Sequence, residues 1–150
     1  MANRVVRPRL FFAKGVILSQ IFETRVYYED TDLAGIVYYA NYLKFIERAR
    51  SEWVRGLGVD QRRLKAEQGI VFAVRRVVAD YLAPAVFDDL LQVVTAPLQV
   101  GGARIVLDQR VLRAQTLLFQ AEITLVCLGS GGQATRLPRD LRALIAVAVA

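Results

Sequence analysis

The sequence predicts an α+β fold, with one long helix packed on a face of an antiparallel sheet. Three observations predict it. A single apolar and aromatic run opens the ordered part of the chain at 21–28. Apolar residues then recur at helical spacing over 39–57. After that come several long runs rich in Val, Ile and Leu, joined by tight turns. At 150 residues the chain has the length of one domain, expected over 20–150, with 1–19 as a loosely ordered extension.

Each element follows from local chemistry. Residues 21–28 read as a strand, and 29–35 (Glu-Asp-Thr-Asp-Leu-Ala-Gly) as a short acidic loop. Tyr42, Ile46, Ala49, Trp53 and Leu57 line up as one stripe of the helix, with Lys44, Glu47, Arg48, Ser51, Glu52 and Arg55 off it. Asn41 is the expected N-cap, Arg48–Glu52 an i,i+4 pair, and Gly56 and Gly58 the stop. A second short helix is expected over 60–68. Strands follow at 70–82, 90–100, 103–114 and 117–128, with a shorter one near 134–136. Gly101-Gly102 marks a hairpin, and Pro138 opens a last helix reaching about 147. Leu107, Val111 and Leu125 alternating with Asp108, Arg110 and Thr124 give the sheet two unlike faces.

Composition narrows the chemistry. The chain has no histidine and one cysteine, Cys127, which reads as a small buried hydrophobe. Ser-His and Cys-His nucleophile systems and His-based zinc sites are therefore excluded. Catalysis must rest on carboxylates, phenols, lysines or backbone dipoles, and no metal or organic cofactor is expected. Hydrophobic residues make up 55%, while no apolar run approaches the roughly 20 residues that span a bilayer. A basic start (Arg4, Arg7, Arg9) before Leu10-Phe11-Phe12 lacks a sustained apolar region and a small-residue cleavage site. The expectation is a cytoplasmic protein that hides apolar surface against copies of itself. The formal charge is +6, but the arginines are scattered and no nucleic-acid recognition motif appears. A diffuse positive field suits a small polyanion such as a nucleotide phosphate.

The window 27–42 concentrates the candidate chemistry. Five of the chain's 6 tyrosines lie there, with Glu29, Asp30 and Asp32. The loop runs into the start of the long helix, where unpaired N–H groups and the positive end of the dipole stabilise an anion. A carboxylate, an oxyanion site and a glycine permitting close approach (Gly35) are the parts acyl transfer needs without histidine. On spacing alone, turn, cap and core roles account for the same residues.

Resemblance shifts that balance. The run Tyr27-Tyr28-Glu29-Asp30-Thr31-Asp32-Leu33-Ala34-Gly35-Ile36-Val37-Tyr38-Tyr39-Ala40-Asn41-Tyr42 resembles the signature of the YbgC and 4-hydroxybenzoyl-CoA thioesterase family. The likeness continues through Leu43–Arg50 and Glu52-Trp53, then at Asp80–Ala85, Asp88-Asp89-Leu90 and Thr135–Pro138, covering about residues 20 to 145. It implies a hotdog fold, a sheet wrapped around one long central helix, in homodimers or homotetramers with active sites at the subunit interface. It also implies hydrolysis of acyl-CoA thioesters. The catalytic carboxylate falls on the second Asp of Asp-x-Asp, which is Asp32, and the thioester carbonyl is polarised by a backbone N–H matching Tyr39. YbgC-like members usually carry His at that position and the 4-hydroxybenzoyl-CoA branch Tyr. The departure preserves a backbone role and removes any imidazole contribution.

Asp32 is then either a nucleophile forming a mixed anhydride or a general base aiming water. Glu47 is a second carboxylate, for which a solvated or pairing role is favoured over a direct one. Arg104, with Arg75 and Arg76 behind it, is the candidate for the CoA phosphates; an ion pair or solvent is its alternative. The rival reading is a non-catalytic acyl-CoA or acyl-carrier-protein binder on the same fold. A hydratase, which pairs carboxylate with histidine, and a nucleic-acid binder rank lower.

Overall fold

The computed structural model describes residues 12–13, 16–17 and 19–149. Its centre is a five-stranded antiparallel sheet, order β3-β5-β6-β7-β4, built from β3 (Gln20–Arg25), β4 (Val71–Tyr81), β5 (Leu90–Val100), β6 (Arg104–Arg113) and β7 (Thr116–Leu128). A separate pair, β1 (Phe12–Ala13) and β2 (Val16–Ile17), lies within the expected extension; the rest of 1–18 falls outside the described residues. The helices are α1 (Asn41–Gly56), α2 (Gln61–Gln68) and α3 (Arg139–Ala148). None of them is long and apolar enough to cross a membrane. The architecture is α+β.

The longest helix, α1, lies against β3, β5 and β6. Its expected stripe is buried throughout: Tyr42, Ile46, Ala49, Trp53 and Leu57 are all 7% exposed or less, and Phe45 and Val54 widen the face. Opposite it stand the inward residues Leu91 and Val93 of β5, Leu107 and Val111 of β6, and Phe119, Ala121 and Ile123 of β7, each nearly inaccessible. Each of these Leu, Val, Ile and Phe side chains contributes about 1.5–3 kcal/mol through loss of apolar surface from water. Cys127 is buried in this cluster as expected, and burial raises its thiol pKa.

Several boundaries differ from expectation for local reasons. The first strand ends at Arg25 because the chain turns: Val26 exchanges hydrogen bonds with Asp88 and Asp89, and Tyr28–Asp30 closes into a 3-10 turn. Ala40, not Asn41, is the N-cap of α1, since the Asn41 amide is used elsewhere. Glu52 pairs with Arg55, one turn on, rather than with Arg48. At 101–102 neither glycine takes a positive φ; the turn is wider, closed by Gly101 N–H to Arg104 O at 2.7 Å. The short strand near 134–136 reduces to one bridge between Leu128 and Ala134. Pro138 is the N-cap of α3, and Asp60 caps α2 by accepting from Arg62 and Arg63 N–H.

One inward position of the middle strand is polar. Gln109 is 0% exposed; its Nε2 donates to Ile46 O at 2.9 Å and to Thr95 Oγ1 at 2.8 Å, while its Oε1 accepts from Arg50 Nη1 at 2.9 Å. Burial pushes the Arg50 guanidinium pKa down, so this acceptor compensates part of its lost hydration. The amide thereby stitches sheet to helix. Gln109→Leu, which keeps volume but strands Arg50, is expected to cost about 2–3 kcal/mol, measured as a lower urea midpoint with an unchanged m-value.

Candidate active site

The acidic loop is a small closed hairpin. Thr31 faces Val37 in an antiparallel bridge. Asp32 N–H donates to Ile36 O at 2.9 Å and Gly35 N–H to Asp32 O at 3.0 Å. Gly35 takes φ +80, the left-handed region a residue with a Cβ avoids. Within the turn Asp32 Oδ1 accepts from Ala34 N–H at 2.9 Å, an Asx turn that fixes the carboxylate plane. Asp32 Oδ2 accepts from no group among the described residues, which leaves one carboxylate oxygen for a ligand.

The carbonyl of Asp30 joins this loop to the helix start. It accepts from Tyr38 N–H at 2.9 Å and from Asn41 Nδ2 at 2.9 Å, while Asp30 Oδ2 accepts from Tyr27 N–H at 2.8 Å. Asp30 thus shapes the turn. One residue beyond Tyr38 and just before the N-cap Ala40, the N–H of Tyr39 donates to no acceptor among the described residues.

Both residues line one cleft of about 370 Å³. Asp32, Tyr38, Tyr39 and Tyr42 form one side and residues 81–84 the other. Tyr42 stacks on Phe119 with centroids 5.0 Å apart and meets Tyr81 edge-on at 5.5 Å. Its hydroxyl accepts from Ala85 N–H at 3.0 Å, and Ala85 O accepts from Val37 N–H at 2.9 Å. The segment behind is braced by Asp89, whose Oδ2 takes Val86 N–H at 2.9 Å and Arg113 Nη1 at 2.8 Å; Arg113 also reaches Pro84 O at 3.2 Å. Burial raises the phenol pKa of Tyr42 and Tyr81, and the side-chain contact with Tyr39 raises that of Tyr38. The phenols of Tyr38, Tyr42 and Tyr81 are therefore neutral at physiological pH. No group of three or more Cys, Asp or Glu side chains among the described residues is arranged to hold a metal ion.

The model of the thioesterase-like superfamily matches residues 26–145, a span that contains the whole cleft. The chain belongs to the thioesterase-like superfamily. Among its relatives is the acyl-CoA thioesterase YbgC of Haemophilus influenzae, 42% identical over 123 residues, covering 81% of this chain and 90% of that protein. A crystal structure of a probable thioesterase from Bartonella henselae is 34% identical, with TM-score 0.77 and coverage of 80% and 99% of the two chains. A 4-hydroxybenzoyl-CoA thioesterase, crystallised as an Asp-to-Asn variant with 4-hydroxybenzoyl-CoA, is 25% identical, with TM-score 0.81 and coverage of 85% and 99%.

Against this thioesterase-like frame the sequence-derived residues divide into two groups. Asp32, Gly35 and Tyr39 share one loop and helix start. The other four lie away from that cleft within a single chain. Arg104 begins β6, seven residues from Val111, which pairs with Phe119 beside Tyr81; that is about 23 Å along the strand. Arg76 pairs with Thr124 and Arg75 sits at a β-bulge of β4, both midway along that strand. Glu47 accepts from Ser51 Oγ at 3.0 Å and lines a different groove with Val74 and Val77. Sequence reasoning missed Tyr81, the Tyr42 hydroxyl and the Asp89–Arg113 brace. The Asp80–Ala85 and Asp88-Asp89 segments carried their signal, but the pairing partners lie 24 to 43 residues away.

Tyr42→Phe removes the acceptor of a buried N–H and is expected to cost about 1–3 kcal/mol, seen in chemical denaturation. The pH dependence has a definite sign. With the folded phenol pKa raised above its ordinary value of 10.0, Tyr42 contributes stability that is complete below pH 10 and is lost as pH rises beyond it. The Phe variant should show a shallower alkaline decline than wild type.

Proposed function

We propose that this protein hydrolyses acyl-CoA thioesters to a carboxylic acid and free CoA, with Asp32 as the acting carboxylate. The observation that carries this is the free Oδ2 of Asp32 in one cleft with the unpaired Tyr39 N–H. As the thioester carbonyl carbon becomes tetrahedral, negative charge moves onto its oxygen. A preorganised N–H at a helix start stabilises that charge without reorganising. Asp32 then acts in one of two balanced ways. As nucleophile, its oxygen bonds to the carbonyl carbon, the C–S bond breaks, the thiolate takes a proton, and water cleaves the mixed anhydride. As base, it takes a proton from water, hydroxide adds to the carbon, and the departing thiolate is protonated. The relative crystallised as an Asp-to-Asn variant with its thioester bound supports a carboxylate role. A chain with His 0 has no imidazole to offer instead.

A second copy of the chain belongs to this reading. β4 is an edge strand, pairing with β7 alone in the sheet, and it exposes Val74, Val77 and Val78. An exposed apolar edge is a template for pairing. Since Arg75, Arg76 and Arg104 lie far from Asp32 in their own chain, they serve the CoA phosphates only across a subunit boundary. The acyl-CoA substrate places the activity in the cytoplasm, where these thioesters are made.

The test is thiol release over short, long and aromatic acyl-CoAs. Wild type should turn over at least one class. Asp32→Asn and Asp32→Ala should lose about 10³-fold or more in kcat, on the scale of removing a central catalytic group, while sedimenting as the same dimer or tetramer. Turnover retained by the Asn variant would overturn the assignment. Binding without release across the whole panel would make the protein a sensor or scaffold.

A further inference from the structure

The backbone around Tyr39 is held from both sides. On its N-terminal side, Tyr38 O accepts from Asn41 N–H at 2.8 Å, which orients the peptide carrying the Tyr39 N–H, because N–H and C=O of a trans peptide point opposite ways in one plane. On its C-terminal side, Tyr39 O lies outside the helix ladder: the first turn bonds Leu43 N–H to Ala40 O. What holds Tyr39 O is a side chain from a distant strand, the Tyr81 hydroxyl, donating at 3.0 Å across 42 residues.

Resting on the function proposed above, we propose that Tyr81 is a positioning residue, whose hydroxyl holds the Tyr39 backbone so that the Tyr39 N–H is aimed at the thioester carbonyl. The ring is well placed for this. Tyr81 ends β4 opposite Phe119 in register, meets that fully buried ring edge-on at 5.0 Å, and touches Tyr42 and Tyr39 in the same manner at 5.5 and 6.2 Å. The sheet thereby pins the peptide that follows Tyr39, while the Asn41 bond to Tyr38 O pins the peptide that carries the Tyr39 N–H. The phenol also stays protonated because burial raises its pKa, so the donor persists through the physiological range. Its single proton is committed to Tyr39 O, which leaves it no proton to donate to substrate.

Tyr81→Phe keeps the ring contacts and deletes only the hydrogen bond. The expected result is a fall of about 10-fold in kcat with KM changed less than about twofold, a smaller loss than deleting an oxyanion donor outright. In wild type the Tyr39 amide resonance should move downfield when a non-hydrolysable ketone analogue of acyl-CoA binds, and in Tyr81→Phe that movement should at least halve. A merely structural role would lower stability without altering that resonance. Replacing Tyr81 with 4-aminophenylalanine, which restores a donor at the same place, should recover a third or more of wild-type kcat; this arm also decides the matter if the Phe variant fails to fold. Wild-type kcat and an undiminished amide shift in Tyr81→Phe would overturn the inference while the thioesterase reading stands. Absence of thiol release by wild type would remove that reading itself.

Discussion

The arrangement depends on one backbone carbonyl. Asp30 O receives both Tyr38 N–H and the Asn41 side chain, and by doing so clamps an acidic turn onto the first residues of α1. Asp32 is part-buried and Tyr39 exposed, so solvent offsets the cost of leaving a carboxylate oxygen and an amide without protein partners. Here they are kept because the surrounding bonds are all spent elsewhere: Asp32 Oδ1 on Ala34, Tyr38 O on Asn41, Tyr39 O on Tyr81. What remains unpaired is one acceptor on Asp32 and one donor on Tyr39, two residues that line the same cleft. In the proposed reaction these two groups meet a carbonyl under attack, which presents an electrophilic carbon and an oxygen that gains charge.

The rest of the molecule gives this clamp its rigidity. The stripe from Tyr42 to Leu57 seats α1 on the sheet, and Gln109 ties the sheet to a helix carbonyl through a bond that water cannot reach. Around the cleft, Tyr42, Tyr81 and Phe119 form a ring cluster whose offset and edge-on contacts resist sliding. Asp89 and Arg113 brace the opposite wall. These groups hold the cleft's shape, and a displacement of an ångström there is enough to weaken catalysis substantially.

Much of this was legible in the sequence, and what was not has a physical reason. Helical period placed α1 to within two residues at each end, because its buried stripe obeys 3.6-residue spacing. Asn41 read as an N-cap since such caps and a loop-anchoring amide use the same side chain; only the fold reveals that Asp30 O takes it. The glycine pair at 101–102 announced a turn but not its width, which the bulge between Pro97 and Gln99 also adjusts. Gly35 was named from the local sequence and the roles of Asp32 and Tyr39 from family resemblance, with local spacing leaving turn and core roles open. Tyr81 and Arg113 escaped because their meaning lies in contacts across the sheet. Arg75, Arg76 and Arg104 could be singled out as cations, but strand register places Arg104 at the far end of β6 and Arg75 and Arg76 midway along β4, and no local pattern encodes those distances.

The most direct examination of the central claim is a crystal structure of the Asp32→Asn variant with a bound acyl-CoA thioester. The thioester oxygen should lie about 2.7–3.1 Å from the Tyr39 nitrogen, with its carbonyl carbon beside the substituted side chain at position 32. A thioester seated instead in the groove beside Glu47, with the Tyr39 amide facing solvent, would contradict it.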